Sequence, residues 1–250
     1  MTRMIEPEWL DELPPDDPDA VRSRRDLCRV NGLMRHHRIM AEVLKRRLNG
    51  NRPVHIVDLG AGDGNFFLGV ARQFPAPAVS RSRVFRSGSP DGRDPEWPAP
   101  KVTLLDRQKA VQPAMLSALG EAGWEAEAVV ADVFEWFQRA GPGEVVVANL
   151  FLHHFYDISL AGLFRAIAEC TRLFIALEPR RAFWPLLCSR FLMMAGCNCV
   201  TQHDAVLSVR AGFGADELSR LWPPLPGWQL AEQSVGPFSH LFIAQKQAES

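Results

Sequence analysis

The stretch Val54-His55-Ile56-Val57-Asp58-Leu59-Gly60-Ala61-Gly62-Asp63-Gly64-Asn65-Phe66-Phe67 decides how the rest of the chain is read. It opens as a short apolar, β-branched run, the pattern of a buried strand in a parallel sheet. Glycines follow at every second position, Gly60, Gly62 and Gly64, with the acids Asp58 and Asp63 among them. Phe67, Val70, Ala71 and Phe74 then recur at i, i+3, i+4 and i+7, the stripe of an amphipathic helix that Pro75 closes. Strand, glycine turn and helix together make a nucleotide-site architecture, because a turn without Cβ atoms lets backbone come close to a ligand.

The details select the ligand. A dinucleotide fingerprint reads G-x-G-x-x-G, with the pyrophosphate on the helix N-terminus. Here the third glycine comes one residue early and Asn65 stands in its place. Asp58, at the strand end, would repel a pyrophosphate at short range, so the acids suit a ligand with cationic groups. The Asp-Leu-Gly-x-Gly-x-Gly segment resembles motif I of the class I S-adenosylmethionine (SAM)-dependent methyltransferases, and SAM carries an ammonium and a sulfonium. The resemblance implies SAM as cofactor, with Asp58 and the turn of Gly60, Ala61, Gly62 and Gly64 near its methionine moiety.

Size and composition bound the answer. A chain of 250 residues suits one domain with a single sizeable core and a small cap. Hydrophobic residues at 47% against 23% charged are ordinary for a globular protein, and a formal net charge of −1 gives no general pull toward nucleic acid or anionic membrane. The opening residues 1–19 are acidic and proline-rich, unlike a signal peptide. The longest apolar stretch, 183–197, is interrupted by Arg190 and too short to span a bilayer. Five cysteines without a framework spacing fit a reducing cytoplasm.

Along the chain, residues 1–20 carry seven acids, one arginine and four prolines, and read as an extended arm. Leu27, Val30, Met34, His37, Ala41, Leu44 and Leu48 form a helical stripe with a stop at Asn49-Gly50. Residues 21–48 hold nine Lys or Arg against two acids, so the acidic arm is expected to fold back on this helix. Its arginines are either a solvated face or a cap over the ligand cleft, with Arg24, Arg25 or Asn31 reaching inward. Residues 75–100, rich in Pro, Ser, Arg and Gly, read as a surface insertion.

The second strand, 101–106, ends in Asp106, beside Arg107. An acid there binds ribose hydroxyls in doubly wound folds, its alternative being a helix N-cap. Residues 124–131 form the third strand, followed by Asp132 and Val133. In the methyltransferases that the chain resembles, this place implies an acceptor for the adenine amino group and a neighbour packed on the ring; Asp132 as helix N-cap is the alternative. Gly141-Pro142-Gly143 turns into a fourth buried strand, 144–150, whose end carries Asn149 and Leu150, counted with the cofactor site. It runs into Phe151-Leu152-His153-His154-Phe155, similar to a Leu-His-His-Phe run that many small-molecule methyltransferases carry here. Such a segment lies over the carboxyl ends of the strands. Histidine suits proton removal near neutral pH, so His154, with His153 second, is the candidate base; the alternative is a packed, loop-holding pair.

A fifth strand over 173–177 ends at Glu178-Pro179. Residues 182–195 are apolar all round and read as a helix that is buried or lines an apolar acceptor pocket. Cys197-x-Cys199-x-x-x-His203 does not have the spacing of a common zinc site, so no metal is expected there; His203, Asp204 and Arg210 are candidates for the acceptor's polar end. Two strands, 228–235 and 239–246, joined at Gly236-Pro237, must be antiparallel.

The expected fold is therefore α/β: a Rossmann-like, doubly wound, seven-stranded, mostly parallel sheet ending in an antiparallel hairpin, with an N-terminal helical cap. Residues 1–50 form the arm and cap, 51–247 the core, and 180–212 an acceptor-pocket insertion. The resemblance implies SAM-dependent methyl transfer in the cytoplasm to a small aromatic or lipophilic acceptor of secondary metabolism, most simply at oxygen. Carbon or nitrogen acceptors, and a non-catalytic protein of this fold that binds a partner, are the alternatives. Neither nucleic acid nor membrane insertion is expected, and a homodimer is left open. The insertion at 75–100 departs from the family pattern and lengthens the Asp58-to-Asp106 spacing.

Overall fold

A computed structural model describes residues 1–14, 16–48, 55–74, 99–139 and 145–247. Seven strands form one sheet: β1 (His55–Leu59), β2 (Lys101–Asp106), β3 (Glu125–Val130), β4 (Val145–Asn149), β5 (Leu173–Pro179), β6 (Trp228–Val235) and β7 (Ser239–Lys246). Their order is β3-β2-β1-β4-β5-β7-β6. The first five pair in parallel, while β7 runs antiparallel to both β5 and β6. This is the sheet expected from the sequence, and the hairpin strands match it residue for residue.

Helices cover both faces because the central strands alternate their apolar side chains between two cores. Val145 and Val147 of β4 pack with Met40, Leu44, Phe67 and Val70, from α3 (His36–Leu48) and α4 (Asn65–Gln73). Val146 and Ala148 pack on the other face with Leu160, Leu163 and Phe164 of α7 (Asp157–Cys170), and with Trp222. The remaining helices are α1 (Trp9–Glu12), α2 (Pro18–Met34), α5 (Pro113–Glu121), α6 (Val133–Arg139), α8 (Phe183–Ser189), α9 (Cys199–Ala211) and α10 (Glu217–Leu221). No helix among the described residues is long and apolar enough to cross a membrane.

Three expectations are corrected. The basic stripe is two helices, because Arg35 takes a left-handed conformation (φ 57°) between α2 and α3. The break turns His36, rather than the exposed face of a continuous helix, into the core. The acidic arm is not wholly extended and does not fold back on the basic helix. It contains α1, whose first N–H groups, those of Trp9 and Leu10, donate to the Asp204 carboxylate (2.9 Å each), and it lies along α9. An acid already fixed on α9 offers those amides acceptors that the arginines of α2 lack.

Third, residues 182–195 are not a buried helix: α8 is short, a 3-10 turn (Leu192–Ala195) follows it, and both rest on α9 by one side only. Phe183, Trp184 and Met194 are 71%, 67% and 84% exposed. The stop at Asn49-Gly50, the closing Pro75, nearly all of the 75–100 insertion and the turn at 141–143 lie outside the described residues.

Candidate functional site

The parallel strands bring Asp58, Asp106, Asp132 and Asn149 to one edge of the sheet, where the strand order reverses between β1 and β4. Asp58 is 1% exposed, and its Oδ2 is buried without a hydrogen-bond partner. Burial, and then the nearby Asp106 charge, push its carboxyl well above the usual carboxylate range. A cationic ligand would reverse that shift by giving the buried oxygen a partner.

The turn after β1 needs its glycines for different reasons. Gly60 (φ 67°) has the Phe151 ring where a Cβ would stand, whereas Gly62 (φ 55°) would project a Cβ into open space. Gly60 is thus closed by packing, and Gly62 presents bare backbone. Asp106 ties this turn to β2: its Oδ2 accepts the Gly62 N–H (2.8 Å) and its Oδ1 the Gln108 N–H (2.8 Å). Arg107 beside it is exposed. Ala61 is buried in the turn. Asp132 accepts the Phe134 N–H (2.8 Å), the cap role, while Val133 is buried in the second core. Arg24 and Arg25 of α2 line a cleft of about 480 Å³ with Cys28, Asp63, Asn65 and Gln112, so this helix caps the turn.

On β4, Asn149 is held by a residue that the sequence did not single out. His36 Nδ1–H donates to Asn149 Oδ1 (2.6 Å), and Ser239 Oγ–H donates to His36 Nε2 (2.6 Å). Burial lowers the His36 pKa to about 4, so the ring is neutral. Leu150 follows with φ 53°, a left-handed turn that sends the chain over the strand ends into the 3-10 turn Leu152–His154.

That turn is fastened by Glu178 at the end of β5. Its carboxylate is fully buried and accepts the N–H groups of Phe151 (3.0 Å), Leu152 (2.8 Å) and His153 (3.3 Å), and also His153 Nδ1–H (2.8 Å). His153 is 2% exposed, and its Nε2 has no hydrogen-bond partner. The carboxylate of Glu8, from the arm, stands 3.4 Å from that nitrogen. Burial alone would lower the His153 pKa, but the bond to Glu178 and the Glu8 carboxylate outweigh it and raise it to about 9. His154 lies against it, ring centroids 4.2 Å apart, with Nδ1 3.5 Å from Asp11. Burial, then the His153 charge, lower the His154 pKa.

The remaining candidates serve the arm. Asp204 caps α1, His203 stacks on Trp9 (3.7 Å, 9°), and the Arg210 carbonyl accepts the Met4 N–H. Arg3 donates to Ala211 O (2.8 Å), Phe155 O (2.8 Å) and Asp157 (2.6 Å). Sequence reasoning missed Glu8, His36 and Glu178. Only Glu178 left a signal, an acid closing an apolar strand as Asp106 does.

No protein-family model matches the chain, and no curated protein matches it. Solved structures do. The plantazolicin methyltransferase BpumL, in complex with SAH, aligns with TM-score 0.62 over 93% of this chain and 92% of that chain, at 10% identity. An O-methyltransferase family protein from Burkholderia thailandensis aligns with TM-score 0.55 over 94% of this chain and 62% of its own, at 15% identity. The pyocyanin biosynthetic protein PhzM gives 0.54 over 95% and 60%, at 16% identity. At these identities the likeness is one of fold. Sheet order, antiparallel hairpin and structural neighbours agree that the chain has the class I SAM-dependent methyltransferase fold.

Proposed function

We propose that the protein is an enzyme that transfers a methyl group from SAM to an oxygen of a small aromatic or lipophilic acceptor, as part of secondary metabolism. The cofactor reading is carried by Asp58: a buried carboxyl with an unpartnered oxygen, just ahead of a glycine turn, is a site for a cation. The BpumL structures, named as SAH complexes, support it. In this reading Asp58 and the backbone of Gly60, Ala61, Gly62 and Gly64 hold the methionine end. Asp106, with Arg107 beside it, takes the ribose hydroxyls through its remaining lone pairs. Asp132 and Val133 take adenine, and Asn149 and Leu150 form the β4 wall. Residues 1–50 serve as the cap and 180–212 as the acceptor side.

When bound, SAM supplies a methyl group on a sulfonium whose charge is lost on transfer, so the leaving group needs no acid. The chain's part is to orient the acceptor and take its proton. His153, rather than His154, is the better base: Glu178 fixes Nδ1–H and leaves Nε2 to accept. The Glu8 carboxylate beside it favours the protonated ring, so His153 becomes a base once an acceptor displaces Glu8 and removes one of the charges raising its pKa. A base so placed contributes about 10²–10⁴-fold, and orientation contributes more. The exposed Phe183, Trp184 and Met194 favour a second reading, a non-catalytic protein of this fold that binds a partner.

Calorimetric titration with S-adenosylhomocysteine, beside NAD, tests the first reading. Micromolar binding of S-adenosylhomocysteine alone is expected, weakened at least tenfold by Asp106→Ala; absence of binding by folded protein overturns it. Methyl transfer to phenolic acceptors then separates enzyme from partner binder. His153→Ala should lower kcat about 10²-fold or more while cofactor affinity is kept.

A further inference from the structure

We propose that Glu8, His153 and His154 bind a divalent transition-metal ion that clasps the N-terminal arm to the turn after β4. The three residues place one ligand atom each within 4.8 Å of one another, buried or half-buried. Three observations carry this.

The first is His153 Nε2, which is buried, has no hydrogen-bond partner and faces the cluster. Its ring is already set as metal-ligating imidazoles are, with the far N–H donating to a carboxylate, Glu178, at 2.8 Å. The second is spacing. Glu8 Oε1 stands 3.4 Å from that nitrogen, longer than the ~2.7–2.9 Å of a charge-assisted hydrogen bond. Two ligands about 2.0–2.1 Å from a tetrahedral ion are about 3.3 Å apart, so the separation suits a shared ion better than a shared proton.

The third is charge. Three carboxylates, Glu8, Glu178 and Asp11, stand within 3.5 Å of the two imidazole rings, a surrounding that favours a dication. Two histidines and a carboxylate are a donor set for zinc, cobalt, iron or manganese rather than magnesium or calcium. The Ser208 hydroxyl donates to Glu8 Oε1 and orients it from α9. The arm is also held through Arg3, Met4, Trp9, Leu10 and Asp11, and the ion would tighten that closure. Because it takes the His153 Nε2 that the proposed function uses as base, the clasped form is the resting one and the ion must leave before methyl transfer.

The test uses the full chain, freed of metal by a chelator that is then removed, and titrated with Co²⁺ and separately with Zn²⁺. One equivalent of Co²⁺ should bind and give d–d absorption without the thiolate charge-transfer band that Cys197 or Cys199 would add. Glu8→Gln and His154→Gln, both away from the buried Glu178 contact, should each weaken binding at least tenfold. Zn²⁺ should also slow proteolysis within residues 1–14 in the parent chain and in neither variant. Absence of stoichiometric binding, a thiolate band, or unchanged affinity in the folded variants would overturn the proposal. None of these readouts depends on SAM.

Discussion

Glu178 has three consecutive backbone N–H groups and an imidazole on one fully buried carboxylate. Removing one partner of such a pair leaves the others unmatched, which costs about 3 kcal/mol or more. Glu178→Gln, which keeps one carbonyl but aims an amide N–H at other donors, should lower urea-derived stability by about that amount. His36 gives a pH signature. Unfolded, it takes a proton near 6.5; folded, only near pH 4. The unfolded chain therefore binds the extra proton between those values. The stability it governs is whole above about pH 6.5 and falls by up to ~3 kcal/mol as pH drops to 4. His36→Gln should flatten that part of the stability–pH curve, read by denaturant melts at pH 4.5 and 7; an unchanged curve would remove His36 as its source. The strand-end acids were legible because a parallel sheet delivers every strand end to one edge. Glu8 and His36 were not, since what they touch lies far along the chain and no local pattern encodes it.

Among the elements, the glycine turn separates two effects that substitution can tell apart. Gly62→Ala should cost only the left-handed backbone penalty, about 1–2 kcal/mol. Gly60→Ala adds a collision with the Phe151 ring, so its loss of stability should exceed that of Gly62→Ala and should displace the turn before His153. Thermal melts of the two variants side by side check the order. Strand periodicity and the final hairpin were readable because burial on both faces and a short link leave few choices. The break at Arg35 was hidden, because a left-handed residue is usually glycine or asparagine and nothing marks an arginine for it. Residues 182–195 misled for a related reason: apolar composition predicts burial only when a neighbour exists to cover it, and here α9 covers one side.

For the whole molecule, the arm and the sheet are separable. β1, β4 and β5 are buried almost throughout, and the contacts of residues 1–14 go chiefly to α9 and to the turn after β4. α9, in contrast, takes Arg3, Glu8 and the start of α1 on its surface. Deleting residues 1–14 should speed amide hydrogen exchange along α9 and the turn 152–154 while leaving β1 and β4 as protected as before. Equal loss of protection across the sheet would mean that the arm belongs to the core.

The contact between Arg3 and Ala211 spans 208 residues of sequence. During synthesis the arm leaves the ribosome well before its docking surface on α9 is made. At about 5–20 residues per second, roughly ten to forty seconds pass between the two. For that interval the nascent sheet can form around β1 to β4 with the strand ends uncovered, and the molecule closes its own site only once α9 has emerged.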